Sequence, residues 1–333
     1  MSEVQTPTAE PARSNAAPAE EVRSGLEGVV AFATEIAEPD KEGGALRYRG
    51  VNIEELVGAV PFEQVWGLLV DDQLKPGLPP AEPHVLTVRS GDPRVDVQAA
   101  LAMLAPEWGF AQLIDISDEE ARDNLARASV MALSFVAQSA RGVGRPPVAQ
   151  AEVDRGRTIP ERFLIRWRGE ADPTHVKAID AYWISAAEHG MNASTFTARV
   201  VASTGADCAA ALSSAVGALS GPLHGGAPSR VLRRTCRGLG SPRFEVAEAL
   251  ERAALAELQA RKPDRVLATN VEFWSAVVLD MADVPPELFT PMFTCARVAG
   301  WSAHILEQKR EGKLIRPTAR YVGHAPRSLA QVQ

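Results

Sequence analysis

Apolar residues recur at helical spacing through most of this chain. Between residues 53 and 309, outside the loops predicted at 75–83 and 144–147, they fall at intervals of three and four, the period of amphipathic α-helices. The predicted helices span residues 53–69 with a break at Pro61, 94–104, 123–141, 154–167, 175–189, 209–219, 246–258, 271–281 and 293–309. Only residues 28–36 and 45–48 alternate in the manner of a short hairpin. The pattern therefore predicts a mainly α protein with a short N-terminal β-hairpin.

The first 22 residues differ from the rest of the chain. They are rich in Pro, Ala, Glu and Ser and lack the apolar core of an export signal, so we predict a disordered tail. No apolar stretch approaches the ~20 residues that cross a bilayer. The net charge of −7, without basic runs, argues against nucleic-acid or membrane-surface partners. Three scattered cysteines indicate neither a disulfide framework nor a zinc site, and we expect a cytoplasmic protein without a metal.

Two histidines lie beside glycine at predicted helix boundaries. His189 precedes Gly190, and His224 precedes Gly225 and stands four residues before Pro228. Because proline suits the first turn of a helix, His224 would lie beside a helix N-terminus, whose positive end disfavours imidazolium. A neutral, hydrogen-bond-donating His224 is one hypothesis. The structural alternatives are a turn histidine bonded to backbone carbonyls at His224 and a helix C-terminal histidine at His189.

Several segments together resemble the citrate synthase family. They read HGMNASTFTAR at 189–199, GPLHGGAPSRVL at 221–232, TNVEFW at 269–274, LFTPMF at 288–293, RVAGW at 297–301 and LIRP at 314–317. The resemblance begins at Gly25 and extends over nearly all of the chain that follows. It implies the multi-helical fold of that family, with a large domain at 23–220 and 263–333. Residues 221–262 would be the remnant of a smaller domain.

The resemblance implies condensation of acetyl-CoA with oxaloacetate to give citrate and CoA. Such a reaction needs a carboxylate to remove a methyl proton and a donor for the developing oxyanion. By resemblance Glu272 would be the base, where the family more often has Asp, and His224 would be the donor. His189 and Asn192 would bind oxaloacetate. Acetyl-CoA is a co-substrate, and no cofactor is implied.

Two arginines, Arg297 and Arg316, match family arginines that bind substrate carboxylates, a task suited to the planar guanidinium fork. The resemblance implies that Arg316 reaches into the neighbouring subunit's site of a homodimer. Burying Arg297 unpaired would be unfavourable, so a carboxylate partner or ligand is expected there. From the residues alone, Arg316 could instead be a solvated charge before Pro317, and Glu272 a solvated glutamate at a helix start.

The resemblance is interrupted after Leu232. In the family a few dozen further residues follow and end in a Gly-Phe-Gly-His-Arg-Val-Tyr stretch, which carries a third active-site histidine and an arginine. Here the chain continues directly into residues 233–240, and neither His304 nor His324 stands in that context. We therefore expect a protein that folds but condenses slowly. The alternatives are a 2-methylcitrate synthase that uses propionyl-CoA, and a non-catalytic homologue that binds dicarboxylate or pairs with a full-length subunit.

Overall fold

The computed structural model describes residues 24–26, 28–39, 46–221, 230–262 and 271–332. They belong to two compact units. The main unit is Thr34–Ile315, and the terminal unit combines Met1–Ala33 with Arg316–Gln333. The predicted tail at 1–22 lies outside the described residues. The predicted large domain and small-domain remnant, with boundaries near residues 220 and 263, stay predictions.

Helices make up most of the main unit, which confirms the mainly α fold class. Its antiparallel sheet has the order β1 (Ala37–Pro39), β2 (Leu46–Tyr48) and β3 (Val51–Asn52). The helices described are α1 (Ile53–Leu56), α2 (Phe62–Asp71), α3 (Pro93–Trp108), α4 (Asp118–Arg141), α5 (Gln150–Val153), α6 (Ile159–Arg168), α7 (Pro173–Ala186), α8 (Ala193–Ser203), α9 (Cys208–Leu219), α10 (Arg230–Gly238), α11 (Phe244–Arg261), α12 (Val271–Met281) and α13 (Phe289–Glu311). Short 3-10 turns lie at Ser24–Leu26, Pro286–Leu288 and Leu329–Gln331.

Capping residues and prolines set several helix boundaries. Pro61 separates α1 from α2, as the sequence predicted, because its ring fixes an extended backbone at the N-cap position. The side chain of Asp172 accepts hydrogen bonds from the first turn of α7. The helix predicted at 154–167 is wrong in its first turn: α5 ends at Val153, and α6 begins only after Thr158, which caps it.

The N-terminal hairpin also differs from its prediction. Its first strand begins at Ala37 rather than within residues 28–36. Residues 28–31 and 33–35 are exposed, and Val30 retains 89% of its surface in solvent. The apolar residues of this segment are therefore not packed against a core, which explains why they form no strand. Ile36, Leu46 and Tyr48, in contrast, are fully buried.

The central element of the main unit is α13. It packs against α2, α4, α7, α8 and α9 and is buried along most of its length. The hydroxyls of Ser129 on α4 and Ser302 on α13 share a 2.9 Å hydrogen bond, and the Trp66 indole donates to Ser129. Such satisfied polar pairs fix the rotation of packed helices. None of the helices in the described ranges is long and apolar enough to cross a membrane.

Helix α11 presents its apolar stripe to solvent. Val246, Leu250 and Leu258, part of the spacing that predicted the helix, are 72%, 58% and 42% exposed. Its buried residues are Ala247 and Glu251, and Glu251 accepts a 2.9 Å hydrogen bond from the Trp274 indole. The stripe thus predicted a helix correctly, but it is not covered by the described residues.

The double variant Val246→Gln/Leu250→Gln is expected to melt within about 2 °C of the parent protein, because both side chains are exposed. The same change should lower the binding of a dye for apolar surface, because an exposed apolar patch has been removed. As a matched control, Leu279→Gln at a site only 1% exposed should destabilise the fold by roughly 2–5 kcal/mol. A comparable loss in the double variant would mean that something covers the stripe in solution.

Candidate active site

The turn between α7 and α8 carries His189 and Asn192. Gly190 adopts φ +68°, a conformation that favours glycine, and a Cβ there would lie 3.1 Å from the Pro39 ring. The Asn192 carboxamide oxygen accepts from the backbone N–H of Thr195 at 3.0 Å, which starts α8. Asn192 therefore shapes the turn; its predicted contact with oxaloacetate stays a prediction.

His189 is half-buried just beyond the end of α7, which stops at Ala186 rather than at the predicted residue 189. Burial lowers the pKa of its imidazole, and the charge of Arg297 lowers it further, while Glu188 opposes this shift. The ring is therefore neutral at physiological pH, with one N–H to donate. The structure thus brings together His189 and Arg297, two of the residues predicted to bind substrate.

Arg297 is a buried cation, 1% exposed, on α13. Its Nε donates to the carbonyl of Ala186 at 2.9 Å, and its guanidinium lies 4.7 Å from the centre of the Phe293 ring. Burial lowers its pKa, and the negative charge of Glu188 acts against that shift. Across the described ranges no carboxylate forms an ion pair with Arg297 within 4 Å. The carboxylate partner expected from the sequence is thus represented only by the longer-range charge of Glu188.

A buried pair that the sequence prediction missed, Glu188 and His304, lies next to these residues. Glu188 is fully buried, and its Oε1 lies 3.4 Å from Nε2 of His304, which is 1% exposed. Burial raises the pKa of Glu188, but His304 and Arg297 more than offset this, and the net pKa lies below its usual range. Glu188 is therefore an ionised carboxylate in the interior.

The opposite nitrogen of His304 continues this pair into a larger network. Nδ1 of His304 lies 3.1 Å from Nη1 of Arg199. The guanidinium group of Arg199 also donates hydrogen bonds to the side chains of Gln308, Glu307 and Glu311. One signal in the sequence could have indicated the pair. Glu188 immediately precedes His189, and His304 lies seven residues after Arg297, two turns along the same helical face.

Gly300, between Arg297 and His304 on α13, lets that helix approach the end of α7. Its N–H donates to the carbonyl of Ala187 at 3.1 Å. A Cβ at this position would lie 2.6 Å from that carbonyl oxygen and collide with the Glu188 carboxylate. The close approach that positions Arg297 against Ala186 therefore requires glycine.

Gly300→Ala is accordingly expected to reduce the free energy of unfolding by about 1–3 kcal/mol, because neither the backbone carbonyl nor the buried carboxylate can move freely. Chemical denaturation would measure this. Gly238→Ala is the matched control, since a Cβ there meets nothing within 4 Å. If both variants unfold at the parent's midpoint, the close packing at Gly300 is not required for stability.

The remaining predicted site residues are less fully placed. His224 lies outside the described residues. Glu272 is the second residue of α12, and its side chain is likewise outside what the structure describes. Arg316 is exposed and belongs to the terminal unit. The predicted roles of all three stay predictions.

Comparison with known proteins resolves the family. The family model described as "Citrate synthase, C-terminal domain" matches residues 25–238 and 229–318. The chain belongs to the citrate synthase family. Members of this family are enzymes of the transferase class that condense acetyl-CoA.

Relatives and solved structures agree with this membership. The chain is 60% identical to "Putative citrate synthase 2" of Mycobacterium tuberculosis, over 91% of this chain and 94% of the relative. It is 29% identical to the 2-methylcitrate synthase of Shewanella oneidensis, over 93% and 97%. The crystal structure of citrate synthase from Pyrobaculum aerophilum superposes with a TM-score of 0.72 at 26% identity, covering 99% of this chain and 100% of that one.

The same comparisons agree with the break in the family resemblance that the sequence predicted after Leu232. The two family-model matches overlap, since both include residues 229–238, so the match is broken in this short region. The alignment with the mycobacterial relative spans 349 positions. It includes only 91% of this chain, which itself has 333 residues, so the alignment is longer than the part of the chain that it contains. More than forty positions of that alignment therefore hold no residue of this chain. We propose that these positions lie together after Leu232, where the family-model matches overlap, and we call them the missing segment.

Proposed function

We propose that this enzyme condenses acetyl-CoA with oxaloacetate to give citrate and CoA, at a rate reduced by the missing segment. The observation that carries the proposal is Arg297, a buried guanidinium beside a neutral His189 and without an ion pair in the described ranges. A buried cation of this kind is stabilised by an anionic ligand. A dicarboxylate would meet that requirement.

In the proposed complex, the Arg297 guanidinium binds one carboxylate of oxaloacetate through two parallel N–H donors. The neutral His189 ring donates its N–H to the keto oxygen or to the second carboxylate. The ionised Glu188, held by His304, keeps the pKa of Arg297 from falling further on burial. Glu188 and His304 are thus positioning residues that do not themselves touch the substrate.

For the chemical step we propose the roles that the family resemblance gives to Glu272 and His224. Glu272 removes a proton from the methyl group of acetyl-CoA, and His224 donates a hydrogen bond to the thioester oxygen as charge develops there. The resulting carbon nucleophile attacks the keto carbon of oxaloacetate, the C=O π electrons move to the keto oxygen, and that oxygen takes up a proton to become the hydroxyl of the citryl thioester. Water then cleaves the citryl thioester and releases CoA. The proposed reaction needs no metal or cofactor beyond acetyl-CoA as co-substrate.

Two properties of the family enter as part of the same proposal. We infer a homodimer in which Arg316 completes the partner's substrate site, and we infer that the enzyme works in the cytoplasm. A dimer would explain why a charged residue close to the chain's end, in Leu314-Ile315-Arg316-Pro317, matches a substrate-binding motif.

A thiol-release assay tests the proposed reaction. Acetyl-CoA and propionyl-CoA are each supplied with and without oxaloacetate, and citrate is quantified separately. We expect CoA release that requires oxaloacetate and is faster with acetyl-CoA. Propionyl-CoA is longer than acetyl-CoA by one methylene, which changes the discrimination between the two substrates by only ~1–3 kcal/mol. The sequence cannot separate such close substrates, so their rates must be compared directly.

Two outcomes would contradict the proposal. Faster release from propionyl-CoA would indicate a 2-methylcitrate synthase. Oxaloacetate binding in calorimetry without any CoA release would indicate the non-catalytic, dicarboxylate-binding alternative.

A further inference from the structure

One cavity of the main unit is lined by several arginines. It has a volume of about 350 Å³ and lies where the C-terminal end of α4 and the loop after it face α6. Four arginines line it, together with two glutamines, one histidine, one glycine and four apolar residues: Arg89, Arg141, Arg145, Arg166, Gln138, Gln150, His84, Gly142, Pro83, Val85, Pro147 and Val148. No aspartate or glutamate is among these residues, and none of them belongs to the candidate active site.

Arg166 is the most deeply buried of the four arginines and has only 8% of its surface exposed. Its Nη2 donates to the side-chain oxygen of Gln150 at 2.7 Å, a neutral acceptor. Burial lowers the pKa of Arg166, the charge of Asp154 partly opposes this, and Arg162 adds to the lowering. In the part of the chain that the structure describes, Arg166 has no ion pair within 4 Å. A buried guanidinium with only a neutral partner is stabilised by an anion.

The two nearby carboxylates, Asp154 and Glu107, contact a glutamine and a histidine of the cavity wall and do not pair with its arginines. Asp154 pairs with Arg162 at 2.6 Å and accepts from Gln150 at 3.0 Å. Glu107 lies 3.0 Å from Nε2 of His84. Neither carboxylate lines the cavity. In the described ranges, none of the four arginines of the wall forms an ion pair with a carboxylate within 4 Å, so their positive charge is only partly balanced by the surroundings.

Two of the other arginines, Arg89 and Arg141, are held in place through backbone carbonyls, which leaves guanidinium donors for a ligand. Arg89 donates to the carbonyl of Gln138 at 2.8 Å, and Arg141 donates to the carbonyls of Pro146 and Trp167. A guanidinium has five N–H donors, so each keeps several for a ligand. Arg141 and Arg145 also border a neighbouring cavity with four carboxylates, Glu170, Asp172, Asp283 and Glu287. Arg89 and Arg166 are the two arginines of the wall that do not border this acidic cavity.

We propose that this cavity binds a polyanion with at least two phosphoryl groups. Four guanidinium groups exceed what a single carboxylate can balance, and their planar forks match phosphate oxygens in a bidentate manner. The volume is at the small end of known ligand sites, so it accommodates a compact anion. The apolar residues at its edge could contact an organic group attached to the phosphates. The inference is independent of the proposed condensation.

Titration calorimetry with inorganic pyrophosphate tests this site on the unaltered full chain. At fixed ionic strength, pyrophosphate is expected to bind one site per chain and at least tenfold more tightly than orthophosphate. Arg166→Gln and Arg89→Gln, each made separately, should weaken pyrophosphate binding at least tenfold. The Arg89 variant guards against misfolding of the more buried Arg166 variant, and both melting temperatures are recorded. Arg155→Gln, an exposed arginine paired with Glu152, is the matched control and should leave binding unchanged.

Three results would overturn the inference. The first is the absence of pyrophosphate binding by the unaltered chain. The second is equal affinity for orthophosphate and pyrophosphate, which would indicate a site for a simple anion. The third is an equal effect of the Arg155 and Arg89 variants, which would indicate only general attraction by surface charge.

Discussion

Restoring the missing segment is expected to raise kcat/KM for oxaloacetate by about 30-fold to several thousand-fold. By the family resemblance, the missing segment would end in a stretch with a histidine and an arginine. Losing one hydrogen-bonded charged contact to a buried carboxylate costs about 2–5 kcal/mol, and each ~1.4 kcal/mol is a factor of ten. The insertion is made within residues 229–238, where the family-model matches overlap, and citrate formation is measured.

A matched insert separates chemistry from folding in this experiment. It has the same length and sequence, but alanine replaces its histidine and arginine. We expect this control to fold as well as the full insert and to gain little of the rate. If the rates with and without the full insert are equal, the missing segment does not limit catalysis. If the control insert restores the full rate, the segment acts through folding alone.

The second large effect is expected at Arg297. Arg297→Gln removes a buried guanidinium that would bind a substrate carboxylate, and we expect oxaloacetate affinity to fall by about 30-fold or more, from a loss of about 2–5 kcal/mol. Arg297→Lys should recover only part of this, because an ammonium cannot form the bidentate pair. Titration calorimetry with oxaloacetate measures the affinity directly and does not depend on turnover.

Arg122→Gln is the control for the Arg297 variant. Arg122 is partly buried and paired with Asp71 at 2.7 Å, outside the candidate active site, so its loss should lower the melting temperature and leave oxaloacetate affinity nearly unchanged. The opposite pattern, weak binding in the Arg122 variant and normal binding in the Arg297 variant, would place the substrate elsewhere.

The sequence predicted helix identity well because most helices here carry strong local signals. The break at Pro61 follows from local stereochemistry, the helix at 123–141 from its apolar spacing, and the helix at 209–219 from its run of small residues. Burial was harder to predict. The stripe at Val246, Leu250 and Leu258 has helical spacing but faces solvent, since burial depends on what packs against a helix and not on its own pattern.

The polar interior of the site could not be predicted from spacing. Glu188 and His304 are over one hundred residues apart in sequence, and their 3.4 Å contact exists only because α13 crosses the end of α7 at Gly300. Local patterns do not encode such a crossing. His189 and Arg297 were identified through the family's motifs, and the structure adds the neighbours that set their charges.

The most direct measurement of the central claim compares the unaltered chain with Glu272→Gln in oxaloacetate-dependent release of CoA from acetyl-CoA. Proton abstraction by a positioned carboxylate contributes about 10²–10⁴-fold, so the variant should lose at least a hundredfold in rate. Its affinity for oxaloacetate should stay at the parent value, because Glu272 acts on the other substrate. Equal rates of citrate formation by the two proteins would show that Glu272 is not the base and would contradict the proposed mechanism.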